Sequence, residues 1–324
     1  MNYNIKLITA KVNTFFKNLQ NNNSTEIPSI LYTYGKQFNI FGKDENVITD
    51  TNDILNNINN DKNKNKNIVI LDSSFNPPTL AHIKLLTETF NFYCEQLLNT
   101  NENKDKFLNP TFILLITNNN VDKKLVGANI SQRLKMMEII TDIFQKQIIT
   151  IANDKYKSLN NEVNNIRVLV GLTNVGRFID KVIAIKQFIP EANPAFIMGI
   201  DTITRFFMEK YYIGLNMKEI LDGFFKDNSI ICADRIMYEE NKTSADNKSN
   251  NNNKLKQFIT EGPAKPYKNK IYIFNSWLND EIISKVSSSE ARNILKENYS
   301  NHEKLQKFLP KEIIDFIIYY NIYN

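Results

Sequence analysis

The side chains best suited to chemistry in this 324-residue chain lie between Ser74 and His82. Ser74, Asn76 and Thr79 bring hydroxyl and amide groups into a stretch that also holds one of only two histidines. Thr79 and His82 stand three residues apart, so they would share one face of a helix. Hydroxyl, amide and imidazole groups can all donate hydrogen bonds to an anion. We therefore interpret this stretch as a candidate anion site.

The elements around these residues must place them at the end of a strand. Ile68–Leu71 is an apolar run of four residues, which is typical of a buried strand. Pro77 and Pro78 cannot lie inside a helix, and apolar residues at helical spacing begin at Leu80. The pattern is strand, polar loop and helix. The helix start would present free N–H groups and the positive end of its dipole over the strand end.

The residues from Ser74 to His82, SFNPPTLAH, resemble the signature of nicotinamide mononucleotide adenylyltransferases, members of the HxGH nucleotidyltransferase superfamily. Thr79 stands where other members of the superfamily carry their first histidine. The resemblance implies that His82 is catalytic and that Asn76 contacts the acceptor. It also implies an ATP-binding set in this segment: Ser74, Phe75, Thr79 and His82.

Two other segments resemble the phosphate-binding parts of that family. In NNNVDKKLVGANISQR, the resemblance implies that Lys123 contacts the acceptor and that Lys124 is catalytic. For each lysine taken alone, a solvated basic loop is an equally good interpretation. In VSSSEAR, the resemblance implies that Ser287, Ser288 and Arg292 bind ATP and that Arg292 is catalytic. A capping box from Ser287 to the glutamate at 290 is compatible with that role.

The remaining candidates follow later predicted strands. Met198–Asp201 resembles the family's G-x-D motif, which implies that Gly199 lets adenosine approach the backbone and that Asp201 bonds a ribose hydroxyl. The alternative is a strand-end glycine followed by a helix-capping aspartate. IICADR resembles a family motif that makes Arg235 a ligand for the acceptor phosphate. Trp277 is interpreted either as a stacking platform for the acceptor or as a core residue.

Alternating strand and helix patterns predict an α/β fold. We expect a doubly wound parallel sheet of the Rossmann-like nucleotidyltransferase type with a helical C-terminal part. Residues 1–66 are interpreted as a partly helical N-terminal extension with an Asn/Lys-rich linker, and residues 67–324 as the nucleotidyltransferase domain. Residues 240–257 are predicted to be a disordered loop. Gln147–Ile151 is predicted to be a strand, and Ser131 to cap the helix before it.

The composition bears on the binding partners and the cellular compartment of the protein. The net charge of +5 is mild and the lysines are scattered among asparagines, so nucleic-acid binding is the weaker interpretation. Two cysteines without a CxxC motif favour a reducing compartment, and no apolar run approaches the length of a membrane span. We therefore expect a cytoplasmic or nuclear protein without a membrane partner.

In an adenylyl transfer, a phosphate oxygen of the acceptor attacks the α-phosphorus of ATP and pyrophosphate leaves. That oxygen is already ionised, so the site must supply positioning and charge stabilisation rather than a base. The resemblance implies transfer of AMP from ATP to nicotinamide mononucleotide, giving NAD. Mg²⁺ is expected to be held mainly by the ATP phosphates, without a metal site of protein ligands.

Two alternatives stay open at this point. The first is a diverged ATP-binding or ATP-hydrolysing regulatory protein of the same fold that has lost the pyridine nucleotide acceptor. The second is an adenylyltransferase with another acceptor, such as phosphopantetheine. Ser73 replaces the leading glycine of the family signature, Ala81 replaces a glycine, and a second tryptophan of the family is absent. These departures concern recognition of the pyridine ring more than of ATP.

Overall fold

The computed structural model describes residues 5–21, 29–41, 48, 50–61, 66–99, 104–118, 127–163, 165–233, 255–274, 286–299 and 301–324. The strands of this part are β1 Ile30–Asn39, β2 Lys66–Asp72, β3 Thr111–Thr117, β4 Asn165–Thr173, β5 Ala192–Gly199, β6 Ser229–Ala233 and β7 Ile271–Phe274. Its labelled helices are α1 Ile5–Asn21, α2 Thr51–Asn60, α3 Leu80–Asn99, α4 Ile130–Lys155, α5 Phe178–Lys186, α6 Ile200–Phe206, α7 Met217–Asp227, α8 Ser288–Glu297, α9 His302–Gln306 and α10 Lys311–Tyr319.

The described strands form one seven-stranded sheet in the order β1-β4-β3-β2-β5-β6-β7. Strands β2 to β7 pair in parallel, and β1 pairs antiparallel with β4. The predicted α/β class with a doubly wound parallel sheet is confirmed. The predicted N-terminal extension supplies β1, which adds an edge strand to this sheet.

Helices cover both faces of the sheet because successive strand residues point to opposite sides. Val69 and Leu71 pack with α3, α4 and the C-terminal helices, whereas Ile68 and Ile70 pack with α5, α6 and α7. Within the described residues, no helix is long and apolar enough to cross a membrane.

Three sequence predictions are corrected by these elements. Gln147–Ile151 is not a strand but part of α4, because buried Phe144, Ile148 and Ala152 continue its helical spacing. The helix is capped by Asn129 rather than Ser131, since Asn129 and Gln132 exchange side-chain and backbone hydrogen bonds at 2.9 Å. The predicted disorder of residues 255–257 is wrong, because residues 255–260 are helical with Leu255 and Ile259 buried, while residues 240–254 of that prediction lie outside the described residues.

Candidate active site

Strands β2 and β5 are neighbours, with Leu71 opposite Ile197, and they form the switch point of the sheet. The chain leaves β2 through α3 towards β3 on one side, and it reaches β5 from β4 through α5. In doubly wound sheets, ligands bind beyond the carboxyl ends of the strands at such a point. The loop of residues 73–79, here the signature loop, and Gly199 both leave the sheet at this place.

His82 is fixed in the first turn of α3 by two residues of the signature loop. The backbone N–H of Thr79 donates to His82 Nδ1 at 3.0 Å, and Thr79 Oγ1 lies 2.9 Å from the same nitrogen. Because Nδ1 accepts the backbone hydrogen bond, the proton of the neutral ring must be on Nε2. Nε2 lies 3.0 Å from Ser73 Oγ, which therefore accepts its hydrogen bond. The imidazole takes the place that Glu or Gln holds in a capping box.

The surroundings of His82 keep the imidazole neutral. Its ring packs on the buried ring of Phe75, with 5.0 Å between the centroids. Burial lowers the pKa of His82 to about 4. Near neutral pH, His82 therefore offers one N–H donor at Nε2 and no positive charge.

Three carbonyl groups of the signature loop accept hydrogen bonds from later parts of the chain. Arg133 Nη1 donates to the carbonyl of Ser74 at 3.2 Å, and Arg292 Nη1 donates to that of Asn76 at 2.5 Å. Ser288 Oγ donates to the carbonyl of Pro77 at 2.7 Å. These contacts join the signature loop to α4 and to the start of α8.

The signature loop also offers backbone N–H donors to an anion. The N–H groups of Ser74 and Phe75 donate to no partner among the described residues. The backbone of the loop turns sharply at Phe75, whose φ of 43° lies in the left-handed region that non-glycine residues seldom adopt. The N-termini of α3 and α8 face the same loop and add their positive dipole ends.

The arginines beside the signature loop add positive charge. Arg133 is buried, which lowers the pKa of its guanidinium, and nearby Arg292 lowers it further. Arg292 also donates to Ser289 Oγ at 3.1 Å, and it forms no ion pair with a carboxylate in the described part of the chain. An anion is the ligand that this arrangement favours.

Gly199 is the last residue of β5, and Asp201 follows it beside the signature loop. A Cβ added at Gly199 would meet nothing within 4 Å, so the backbone here is open to close approach. Asp201 is exposed in the first turn of α6. The N-cap position belongs to Gly199, which has no side chain to cap the helix. The alternative interpretation of Asp201 as a helix cap is therefore wrong. The N-cap half of the predicted capping box is confirmed, because Ser287 Oγ accepts from the N–H of Glu290 at 3.1 Å.

Four predicted site residues lie outside the described residues: Lys123, Lys124, Arg235 and Trp277. The described candidates Ser74, Phe75, Asn76, Thr79, His82, Ser288 and Arg292 lie on or contact the signature loop, while Ser287 precedes Ser288 at the start of α8. Their roles toward ligands stay predictions. Within the described part of the chain, no group of three or more His, Cys, Asp or Glu residues could hold a metal ion.

Sequence reasoning missed four residues of this region. The first is Tyr323, whose hydroxyl donates to Asn76 Oδ1 at 2.8 Å. The other three lie at the end of β2, where Lys181 of α5 forms an ion pair with Asp72 and Thr117 Oγ1 donates to the same carboxylate at 3.3 Å. Strand alternation was the available signal for Asp72, because it shares the α5 face with Ile68 and Ile70.

The chain is 26% identical over 252 residues to a Schizosaccharomyces pombe protein described as "Putative nicotinamide mononucleotide adenylyltransferase". The match covers 78% of this chain and 84% of that relative. No protein-family model matches the chain.

Two solved structures of a Plasmodium falciparum nicotinic acid mononucleotide adenylyltransferase are also similar. The one complexed with NaAD has a TM-score of 0.45 and 23% identity, and the one complexed with APC has 0.43 and 21%. Each comparison covers 80% of this chain and 97% of the other. The Schizosaccharomyces pombe relative confirms the resemblance to mononucleotide adenylyltransferases found in the sequence motifs.

Proposed function

Because the chain resembles the mononucleotide adenylyltransferases, we propose that it transfers AMP from ATP to nicotinamide mononucleotide, giving NAD and pyrophosphate. One observation carries this proposal. Three carbonyls of the signature loop at the β2–β5 switch point are bound by Arg133, Arg292 and Ser288. Two N–H groups of the loop, two helix N-termini and the Arg292 guanidinium stay available to phosphates. The motif resemblance and the similarity to the Schizosaccharomyces pombe relative support the same reaction.

The described residues have distinct roles in this proposal. The N–H groups of Ser74 and Phe75 bind ATP phosphate oxygens. Neutral His82 donates a hydrogen bond from its Nε2–H to a phosphate oxygen, keeps the proton, and so stabilises negative charge as pyrophosphate leaves. Arg292 keeps its bond to the signature loop and directs its remaining N–H groups to the phosphates, since a guanidinium has five donors.

Other parts of the proposal concern the nucleosides. Gly199 gives adenosine room against the backbone, and Asp201 accepts from a ribose hydroxyl. Ser287 and Ser288 add donors at the start of α8, while Asn76, Lys123, Arg235 and Trp277 contact the acceptor. Lys124 is the third catalytic residue, beside His82 and Arg292.

Magnesium enters this reaction with ATP as part of the substrate. A hard cation of this kind prefers phosphate oxygens and water, and it binds proteins through few carboxylates. Among the predicted ATP contacts, Asp201 is the one carboxylate, and it is exposed. We propose that the ATP phosphates hold Mg²⁺ and that the protein binds the complex through the phosphates, in the cytoplasm or nucleus.

The decisive experiment measures NAD formation by the purified protein with Mg-ATP and nicotinamide mononucleotide, and in parallel with the nicotinate form. We expect turnover with nicotinamide mononucleotide that falls by about 100-fold or more in Arg292→Ala, the size of effect seen when one transition-state donor is removed. Lys296→Ala is the matched control, because Lys296 is an exposed cation on the same helix.

Three outcomes would contradict the proposal. A wild-type protein that binds ATP without forming either dinucleotide would support the regulatory alternative. Turnover only with the nicotinate form would show that the acceptor is nicotinate mononucleotide and not nicotinamide mononucleotide. Full turnover in Arg292→Ala would remove Arg292 from the catalytic set.

A further inference from the structure

Tyr323 lies in the turn after α10 and contacts two segments beside the candidate site. Its hydroxyl donates to Asn76 Oδ1 at 2.8 Å. At Gly127, an added Cβ would lie 2.7 Å from Tyr323 Cε1 and 2.9 Å from Asn76 Oδ1. Tyr323, Asn76 and Gly127 therefore form one junction. This junction connects the turn after α10 with the signature loop and with Gly127, which follows the predicted lysine loop.

The turn that carries Tyr323 is held in an uncommon backbone conformation. Asn321 has φ 51° and Tyr323 has φ 76°, both in the left-handed region that non-glycine residues rarely adopt. The hydroxyl of Tyr299 lies within hydrogen-bond distance of the carbonyls of Ile317, at 2.8 Å, and Ile322, at 3.0 Å. Such backbone strain persists where surrounding contacts over-determine the conformation, and it clusters at functional sites.

The direction of the hydrogen bond at the junction follows from the chemistry of the two groups. Burial raises the pKa of Tyr323, so its phenol keeps the proton and acts as the donor. Oδ1 is then the acceptor of Asn76, and the hydrogen bond sets which way the amide faces. The backbone carbonyl of the same residue is bound by Arg292. Asn76 is thus held through both its side chain and its backbone.

We propose that Tyr323 is a positioning residue that sets the orientation of the Asn76 amide toward the acceptor nucleotide. This inference rests on the proposed function, in which Asn76 contacts the acceptor. It adds that the turn after α10 determines acceptor binding without touching substrate. In the proposed function, ATP contacts Ser74, Phe75 and Thr79 of the signature loop, so we expect its binding not to depend on this hydroxyl.

Tyr323→Phe removes only the hydroxyl and so tests the proposal directly. We expect the KM for nicotinamide mononucleotide to rise about 3- to 10-fold, as for the loss of one hydrogen bond. The kcat and the KM for ATP should stay within about twofold, and Tm within about 2 °C. Tyr319→Phe is the matched control, because that tyrosine is 69% exposed. Combined with Asn76→Ala, Tyr323→Phe should add no further rise in KM, since both changes disrupt one interaction.

The NMR signals of the Asn76 side-chain amide, recorded without substrates, supply a readout that needs no activity. These signals should shift in Tyr323→Phe and stay unchanged in Tyr319→Phe. Unchanged Asn76 signals in Tyr323→Phe overturn the proposal, and so does a parallel rise of both KM values with a lower Tm. If the wild-type protein makes no NAD, the proposed function fails on its own. The Asn76 signals then still decide whether Tyr323 holds the amide.

Discussion

Lowering the pH should destabilise the folded protein through His82 in a way that can be calculated. Burial lowers the pKa of His82 from 6.5 to about 4 in the folded state. The stabilising effect of the neutral ring is therefore complete above pH 6.5 and is lost as the pH falls towards 4, because the unfolded chain binds the proton first. Between pH 7.5 and pH 5, these pKa values correspond to about 2 kcal/mol of lost stability from this one group.

Comparison with His82→Gln separates this contribution from those of other titrating groups. Glutamine does not titrate, and its side-chain oxygen can accept the Thr79 N–H as in an ordinary capping box. We would measure the free energy of unfolding of both proteins in urea at several pH values from 7.5 to 5. The wild type should lose about 2 kcal/mol more than His82→Gln over this range.

The sign of the result is as informative as its size. A difference between the two proteins that stays constant within about 0.5 kcal/mol over the pH range would refute the lowered pKa and the buried neutral imidazole. A wild type that gains stability relative to His82→Gln at low pH would mean that the folded state binds the proton. His82 would then be a cation in the folded protein, and the assignment of the ring proton to Nε2 alone would be wrong.

Two further predictions concern the other side of the switch point. Gly199→Ala should leave Tm unchanged, because the added Cβ meets nothing within 4 Å in the protein. It should raise the KM for ATP about tenfold, because the Cβ takes space proposed for adenosine; an unchanged KM would favour the strand-end interpretation. Lys181→Met should lower the free energy of unfolding in urea by about 3–5 kcal/mol, since it leaves Asp72 with its charge largely buried and unpaired. Adding Asp72→Asn should restore at least half of that loss, and no recovery would show that the charge is not the cause.

Local signals predict the part of the site that is built within one segment. The strand, loop and helix around Ser74 and His82 follow from an apolar run, two prolines and helical spacing within sixteen residues. The capping serine at 287 likewise depends on neighbours only three residues away. Such contacts form between groups that the chain already holds close together, so spacing along the sequence predicts them.

Contacts between distant segments leave no comparable pattern. The hydrogen bonds from Arg292 and Tyr323 to Asn76 span 216 and 247 residues, and neither depends on a local period. The error at Gln147–Ile151 has a related cause. A short apolar run is typical of a strand or of a buried helix segment, and only the packing of Phe144, Ile148 and Ala152 decides between them.

Ser73, which stands in place of a glycine of the resembled signature, has a physical explanation in its contact with His82. The ring of His82 is partly buried, so its Nε2 proton needs an acceptor, and the Ser73 hydroxyl provides one at 3.0 Å. Glycine has no side chain and would leave that donor without a protein partner, which is costly for a buried polar group. In the proposed reaction, a phosphate oxygen of ATP replaces the hydroxyl as the acceptor, and Ser73 can rotate its own O–H towards the same anion. The substitution therefore keeps His82 hydrogen-bonded both before and after ATP binds, and it accords with a site that still handles phosphates.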